Sequence, residues 1–196
     1  MSARTTFRAI TLTLCAAGVA MPVPASAAAA HRHHRHRPPA HASACTGAAA
    51  RPVAANLSLV RQAVLCALDR ERAIRGVPRL VVNARLSLAA ERHAVDMVRR
   101  QYFAHESPEG RDVVDRLMRA GYISTGWWMV GENLGWGTEE FASPQRMTTA
   151  WMHSPAHRSN ILDRRYRELG IAVVLGVPTA VGGIGATYAT DFGVRR

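Results

Sequence analysis

The segment WMHSPAHRSNIL, residues 151–162, places His153 and His157 four apart, the spacing at which two imidazoles on one helix face grip a metal ion. A zinc-protease helix of that kind also needs a glutamate between the histidines as general base, and an unbroken helix. Here Ser154 and Pro155 follow His153, and a proline inside a helix loses a backbone hydrogen bond and clashes with the preceding turn. The helix is therefore expected to end near His153, so any partner of His157 must come from elsewhere in the chain. Two residues have the right chemistry: His105 in FAHESPEG and Glu132 in GENLG, each in a turn-rich, loop-like context. Two imidazoles with one carboxylate suit zinc or another divalent cation, and leave a position open to water or substrate. In an enzyme built this way Glu132 is the candidate catalytic residue, activating water held by the histidines. The bland alternative is that His105 and His157 fix loops by bonding backbone carbonyls while Glu132 pairs with an arginine. A serine and histidine arrangement through Ser107 or Ser154 has no orienting partner behind it.

Several elements must position these residues. Arg4 and Arg8 precede the apolar run at 9–21, and Ala25 and Ala27 form a small-residue cleavage site, so residues 1–27 read as a secretory signal peptide. Residues 28–55 hold five histidines and three arginines within 31–41, followed by small residues. Such a segment cannot bury a core and is expected to be disordered, a solubilising spacer or a metal-scavenging, anion-seeking arm. Residues 56–196 are long enough for one self-sufficient core. A first helix runs from an Asn56 cap to about residue 75, stopped by Gly76 and Pro78. A second follows Asn83 with Leu86, Ala89, Ala90, His93 and Met97 in phase, which makes His93 a hydrogen-bonded core histidine by preference. A short third helix ends at Gly121. After a Gly- and Trp-rich stretch read as loop, Ser143 and Pro144 open a fourth helix. RELGIAVVLGV and IGATYATDFGV, separated by PTAVGG, read as a hairpin. Helices first and hairpin last imply an α+β fold with an antiparallel sheet and helices on its faces.

Formal net charge is +11, and all 25 basic residues are arginine. From residue 52 onward 19 arginines face 14 acids, so the excess is concentrated in the leader and arm. In an exported protein that excess suits anionic wall polymers or phospholipid headgroups. No interleaving of basic and aromatic residues points to nucleic acid. Without the leader, Cys45 and Cys66 remain, an even number in an oxidising compartment, and a disulfide is the default reading over two free thiols. Cys66 lies roughly 150° round from the apolar stripe of the first helix, from where it can reach a strap running over the helix's outer face.

The segments FAHESPEG, GENLGWG, AWMHSPAHRSNIL and YATDFG, in this order, resemble the CAP superfamily, the SCP-like extracellular domain, over about residues 60–193. The resemblance implies a three-layer α-β-α sandwich around a central antiparallel sheet. It implies one cleft lined by His105, Glu132 and His157, with the two histidines as metal ligands and His153 a bystander. Many members carry a second acid where this chain has Ser154, and Glu139 or Glu140 are the nearest replacements. Some members bind sterols or fatty acids, so lipid or cell-wall ligands are expected, with Trp127, Trp128 and Trp136 offering apolar contact. The expectation is a secreted, monomeric binding module whose cleft holds zinc or another divalent cation. The alternative is a metal-dependent or acid/base hydrolase using the same cleft.

Overall fold

The computed structural model describes residues 44–179 and 184–196. The expected leader and most of the His- and Arg-rich arm lie outside the described residues, as does most of the PTAVGG turn. Among the described residues no helix is long and apolar enough to cross a membrane.

Helix α1, Leu57–Ile74, buries Val60, Val64 and Leu68 along one stripe, and the chain turns away at Gly76 with φ of 63°. Two residues of strand β1, Val81–Val82, precede α2, Ala84–Arg100. The Asn83 side chain caps α2 by accepting from Arg85 N and Leu86 N, which satisfies amides that have no intrahelical partner. Helix α3, Val113–Arg119, starts on a capping box between Asp112 and Asp115.

The stretch read as loop is instead strand β2, Trp128–Thr138. Glycine and mixed polarity depress its local β propensity, and eleven register pairs with a later strand override that weakness. Helix α4, Pro144–His153, ends where expected, but Pro155 starts helix α5, Pro155–Leu162. His157 is therefore helical, against the loop context expected for it. Ser154 is extended between the two helices, and a proline at the first helical position has no amide to lose. Strands β3, Glu168–Leu175, and β4, Gly185–Arg195, complete a sheet of order β1-β3-β4-β2. Its three long strands are antiparallel neighbours, and the short β1 adds to β3 in parallel.

The period-two alternation of β3 and β4 separates two cores. Ile171, Val173, Tyr188 and Phe192 pack with Val64, Leu68, Trp151 and Ile161 of α1, α4 and α5. Ala172 and Ala189 meet Ala90, Ala94 and Met97 of α2. Helices thus cover both faces, giving the α-β-α sandwich.

Ordered chain begins before residue 56, contrary to an arm disordered through 55. Cys45 is disulfide-bonded to Cys66 on α1, and Gln145 N donates to Ala48 O at 2.8 Å. The covalent tie and this backbone bond hold the strap across the outer side of α1 and α4.

Candidate functional site

Strand β2, at the edge of the sheet, carries Glu132, whose side chain is only 2% exposed. Its Oε1 accepts from His105 Nδ1 at 2.7 Å, and its Oε2 accepts from Arg116 Nη2 at 2.6 Å. Arg116, on α3, also donates through Nη1 to the backbone oxygens of His105 and Arg111. One guanidinium therefore fixes both the carboxylate and the loop that presents His105.

His157 is held near this cluster by side-chain hydrogen bonds between α5 and β2. Asn133 Nδ2 donates to His157 O at 3.0 Å, while Asn160 Nδ2 donates to Asn133 Oδ1 at 2.9 Å and Glu132 O at 3.1 Å. Gly131 makes this approach feasible: a Cβ there would lie 2.5 Å from the Tyr166 hydroxyl and 2.9 Å from Asn160 Oδ1. Trp151 Nε1 donates to Leu134 O from α4, so both helices are pinned to β2.

The hydrogen bond to Glu132 raises the His105 pKa above the ordinary imidazole value, against burial and the charge of Arg116. Burial, then the charge of His105, lowers that of His157, so the two rings lie within each other's field. Because a carboxylate can only accept, His105 donates from Nδ1, and in its neutral form the lone pair sits on Nε2.

Sequence reasoning missed two members of this cluster, Arg116 and Asp191. Asp191 pairs with Glu132 across β2 and β4 and with Gly170 across β3 and β4. It is fully buried, and neither carboxyl oxygen meets a donor among the described residues. Burial first, then the charge of Glu132, pushes its pKa well above the carboxylate range, against the pull of Arg116. A neutral Asp191 is a hydrogen-bond donor toward Glu132. Asp191 stands inside the YATDFG motif, but strand register alone brings it beside Glu132.

Next to His157 lies a groove of about 560 Å³ lined among others by Phe103, Trp136, Phe141, Met147 and Ser154. Of the three tryptophans expected to offer apolar contact, only Trp136 lies there. Trp128 packs against the cluster of Leu117 and Tyr122, and Trp127 is half exposed with the Arg196 guanidinium 5.4 Å from its ring. His153 is exposed, with its Nδ1 bonded to Thr149 O, and His93 is buried with Nε2 donating to Ala104 O. Glu139 pairs with Arg51, and neither it nor Glu140 lines the groove. Ser107 Oγ accepts from Arg111 N.

Among the described residues no three His, Cys, Asp or Glu side chains gather as a ready-made cation site. The donors left for an ion are His105 Nε2 and the His157 ring, since both Glu132 oxygens are engaged. A cation there would have these two imidazoles as its side-chain ligands, with Glu132 bonded to the far nitrogen of one of them.

A disulfide-tied α-β-α sandwich with this histidine and glutamate cluster defines an SCP-type domain. Residues 65–179 match the CAP domain of the cysteine-rich secretory protein family, and the chain belongs to that family. It is 30% identical over 119 residues to the uncharacterized protein YkwD of Bacillus subtilis (strain 168), a match covering 61% of this chain and 44% of that protein. The chain thus spans less than half the length of that relative. A Bacillus anthracis str. Ames extracellular protein containing an SCP domain superposes with TM-score 0.52 at 23% identity, over 72% of this chain and 41% of that one. An outer surface protein from Borrelia burgdorferi superposes with TM-score 0.55 at 18% identity, over 66% and 87%. At such identities these two structures show the fold alone.

Proposed function

We propose that the protein is a secreted binding module whose cleft holds a divalent cation, zinc or a similar ion, between His105 and His157, and takes a lipid or cell-wall ligand in the adjoining groove. The observation that carries this is the bond from His105 Nδ1 to a buried, Arg116-clamped Glu132. It fixes the tautomer and turns the His105 Nε2 lone pair outward, the arrangement in which a carboxylate raises the basicity of a metal-binding histidine. A bound cation would supply a Lewis-acidic position for a ligand oxygen. His157, whose lowered pKa keeps it neutral, supplies the second lone pair. Phe103, Trp136, Phe141 and Met147 offer the apolar wall that a hydrocarbon chain requires. Export is supported by the signal-like leader and by the disulfide, which persists in an oxidising compartment.

Acid/base hydrolysis is the second reading, and the opposed shifts of the two histidines favour it. Glu132 can activate water there only by releasing His105 or Arg116, so His157 is the better base.

The test is calorimetric titration of zinc into residues 44–196, which leaves out the histidine-rich arm. Saturation near one ion per chain is expected, lost in His105→Ala and His157→Ala and weakened about 10- to 100-fold in Glu132→Gln. Absence of binding at neutral pH would end the cation reading. A fatty-acid probe followed by tryptophan fluorescence is expected to bind the parent chain and to bind Trp136→Ala about tenfold more weakly; equal binding by both would remove the groove from the account.

A further inference from the structure

A second cavity, about 260 Å³ in volume, opens between α2 and α3 and is lined among others by Arg92, Asp96, Ser107, Arg111, Arg116 and Arg119. Four guanidinium groups around so small a space repel one another unless something answers their charge. Arg116 is matched by Glu132 and Arg111 by Glu109 at 3.0 Å. Among the described residues Asp96 is the only acid on the wall. Its Oδ2 already accepts from the Tyr102 hydroxyl at 2.6 Å and from Arg100 at 3.5 Å. Buried His93 also lines the cavity, and burial lowers its pKa, so it contributes no charge. Arg92 and Arg119 are left with no carboxylate or hydrogen-bond partner among the described residues.

A second observation points the same way. Arg116 has a side chain only 9% exposed, and its Nε is a buried donor with no acceptor among the described residues. A buried N–H without a partner is unfavourable, and it belongs to a residue that lines this cavity. Ser107, 7% exposed, adds a hydroxyl.

We infer that this cavity is a binding site for a phosphate-bearing anion, with Arg92 and Arg119 as its principal contacts. Planar guanidinium forks match the paired oxygens of a phosphate, and they do so better than they match a monovalent halide. The volume falls below the roughly 300 Å³ at which pockets enclose drug-sized molecules, which suits a phosphate group with its nearest alcohol carbons rather than a whole large ligand. The site does not depend on the cation reading, because neither Arg92 nor Arg119 lines the groove at His157.

The experiment compares the full chain, an Arg92→Gln/Arg119→Gln double variant and an Arg70→Gln/Arg164→Gln control that removes the same charge elsewhere. All three keep the basic arm, so any anion it captures is common to them. Inorganic phosphate is titrated by calorimetry. Flotation is run with phosphatidylcholine vesicles with and without phosphatidylglycerol. The double variant is expected to melt with the parent, since both arginines are exposed, and to bind phosphate about tenfold more weakly, with the control unchanged. A parallel loss of binding to the anionic vesicles identifies a lipid headgroup as the source of the phosphate, whereas loss confined to inorganic phosphate identifies a soluble phosphate ester. Equal affinities for the double variant and control, or no phosphate binding by the parent chain, overturn the inference.

Discussion

Glu132 receives donors from His105 and Arg116 and stands beside buried Asp191, whose pKa burial and the Glu132 charge push up. That Asp191 is buried without an ionic partner of its own has a thermodynamic consequence. In the unfolded chain it ionises near the ordinary carboxylate pKa of about 3.9, whereas in the native protein its pKa stands well above that value. The unfolded state therefore loses this proton first as pH rises. Native stability from this group is complete below the unfolded pKa and declines as pH climbs toward the native one. Asp191→Asn keeps a donor toward Glu132 and cannot ionise. It is expected to melt above the parent at pH 7, with the gap closing as the pH falls to 4, in thermal scans by circular dichroism across that range. A gap that stays constant with pH would show that Asp191 is ionised in the fold.

The break between α4 and α5 decides where His157 points. A continuous helix through Pro155 would stack His157 over His153 on the surface of α4. Restarting at Pro155 instead lets α5 lie against β2, where Asn133 and Asn160 hold it. Gly131 is the residue that permits this contact. Gly131→Ala forces its new methyl group toward Tyr166 and Asn160, and overpacking of this kind costs about 1–3 kcal/mol. Urea unfolding is expected to register that loss, together with weaker zinc binding, because α5 carries His157 away from His105. Full stability in the variant would mean that α5 accommodates the methyl group without strain.

For the molecule as a whole, the strap at residues 44–55 closes the structure over α1. The disulfide joins positions 21 apart, and closing a loop of that size contributes about 3 kcal/mol in the chain-entropy account. Cys45→Ser/Cys66→Ser is expected to lower unfolding stability by about that amount in denaturant titrations. The sandwich and the His105 to Glu132 contact should survive, since the tie lies on the outer side of α1, away from its core stripe of Val60, Val64 and Leu68. Unchanged stability would indicate that the strap is held by its noncovalent bonds alone.

The helices that position the site were legible in the chain because their signals are local: the Asn83 cap, the in-phase Leu86, Ala90 and Met97, Gly76 after α1, and Pro144 opening α4. The candidate trio His105, Glu132 and His157 was legible through motif resemblance, and Cys45 with Cys66 through count and compartment. Strand β2 was not, because its glycines serve close packing, Gly131 against α5 and Gly135 against α4, and its pairing partners lie 47 to 67 residues away. Arg116 and Asp191 were hidden for the same reason. One reaches Glu132 from a separate helix and the other through strand register. Only the tertiary structure decides which long-range neighbours share a buried space, and there desolvation pushes the pKa of an aspartate up and one arginine becomes the clamp of a glutamate.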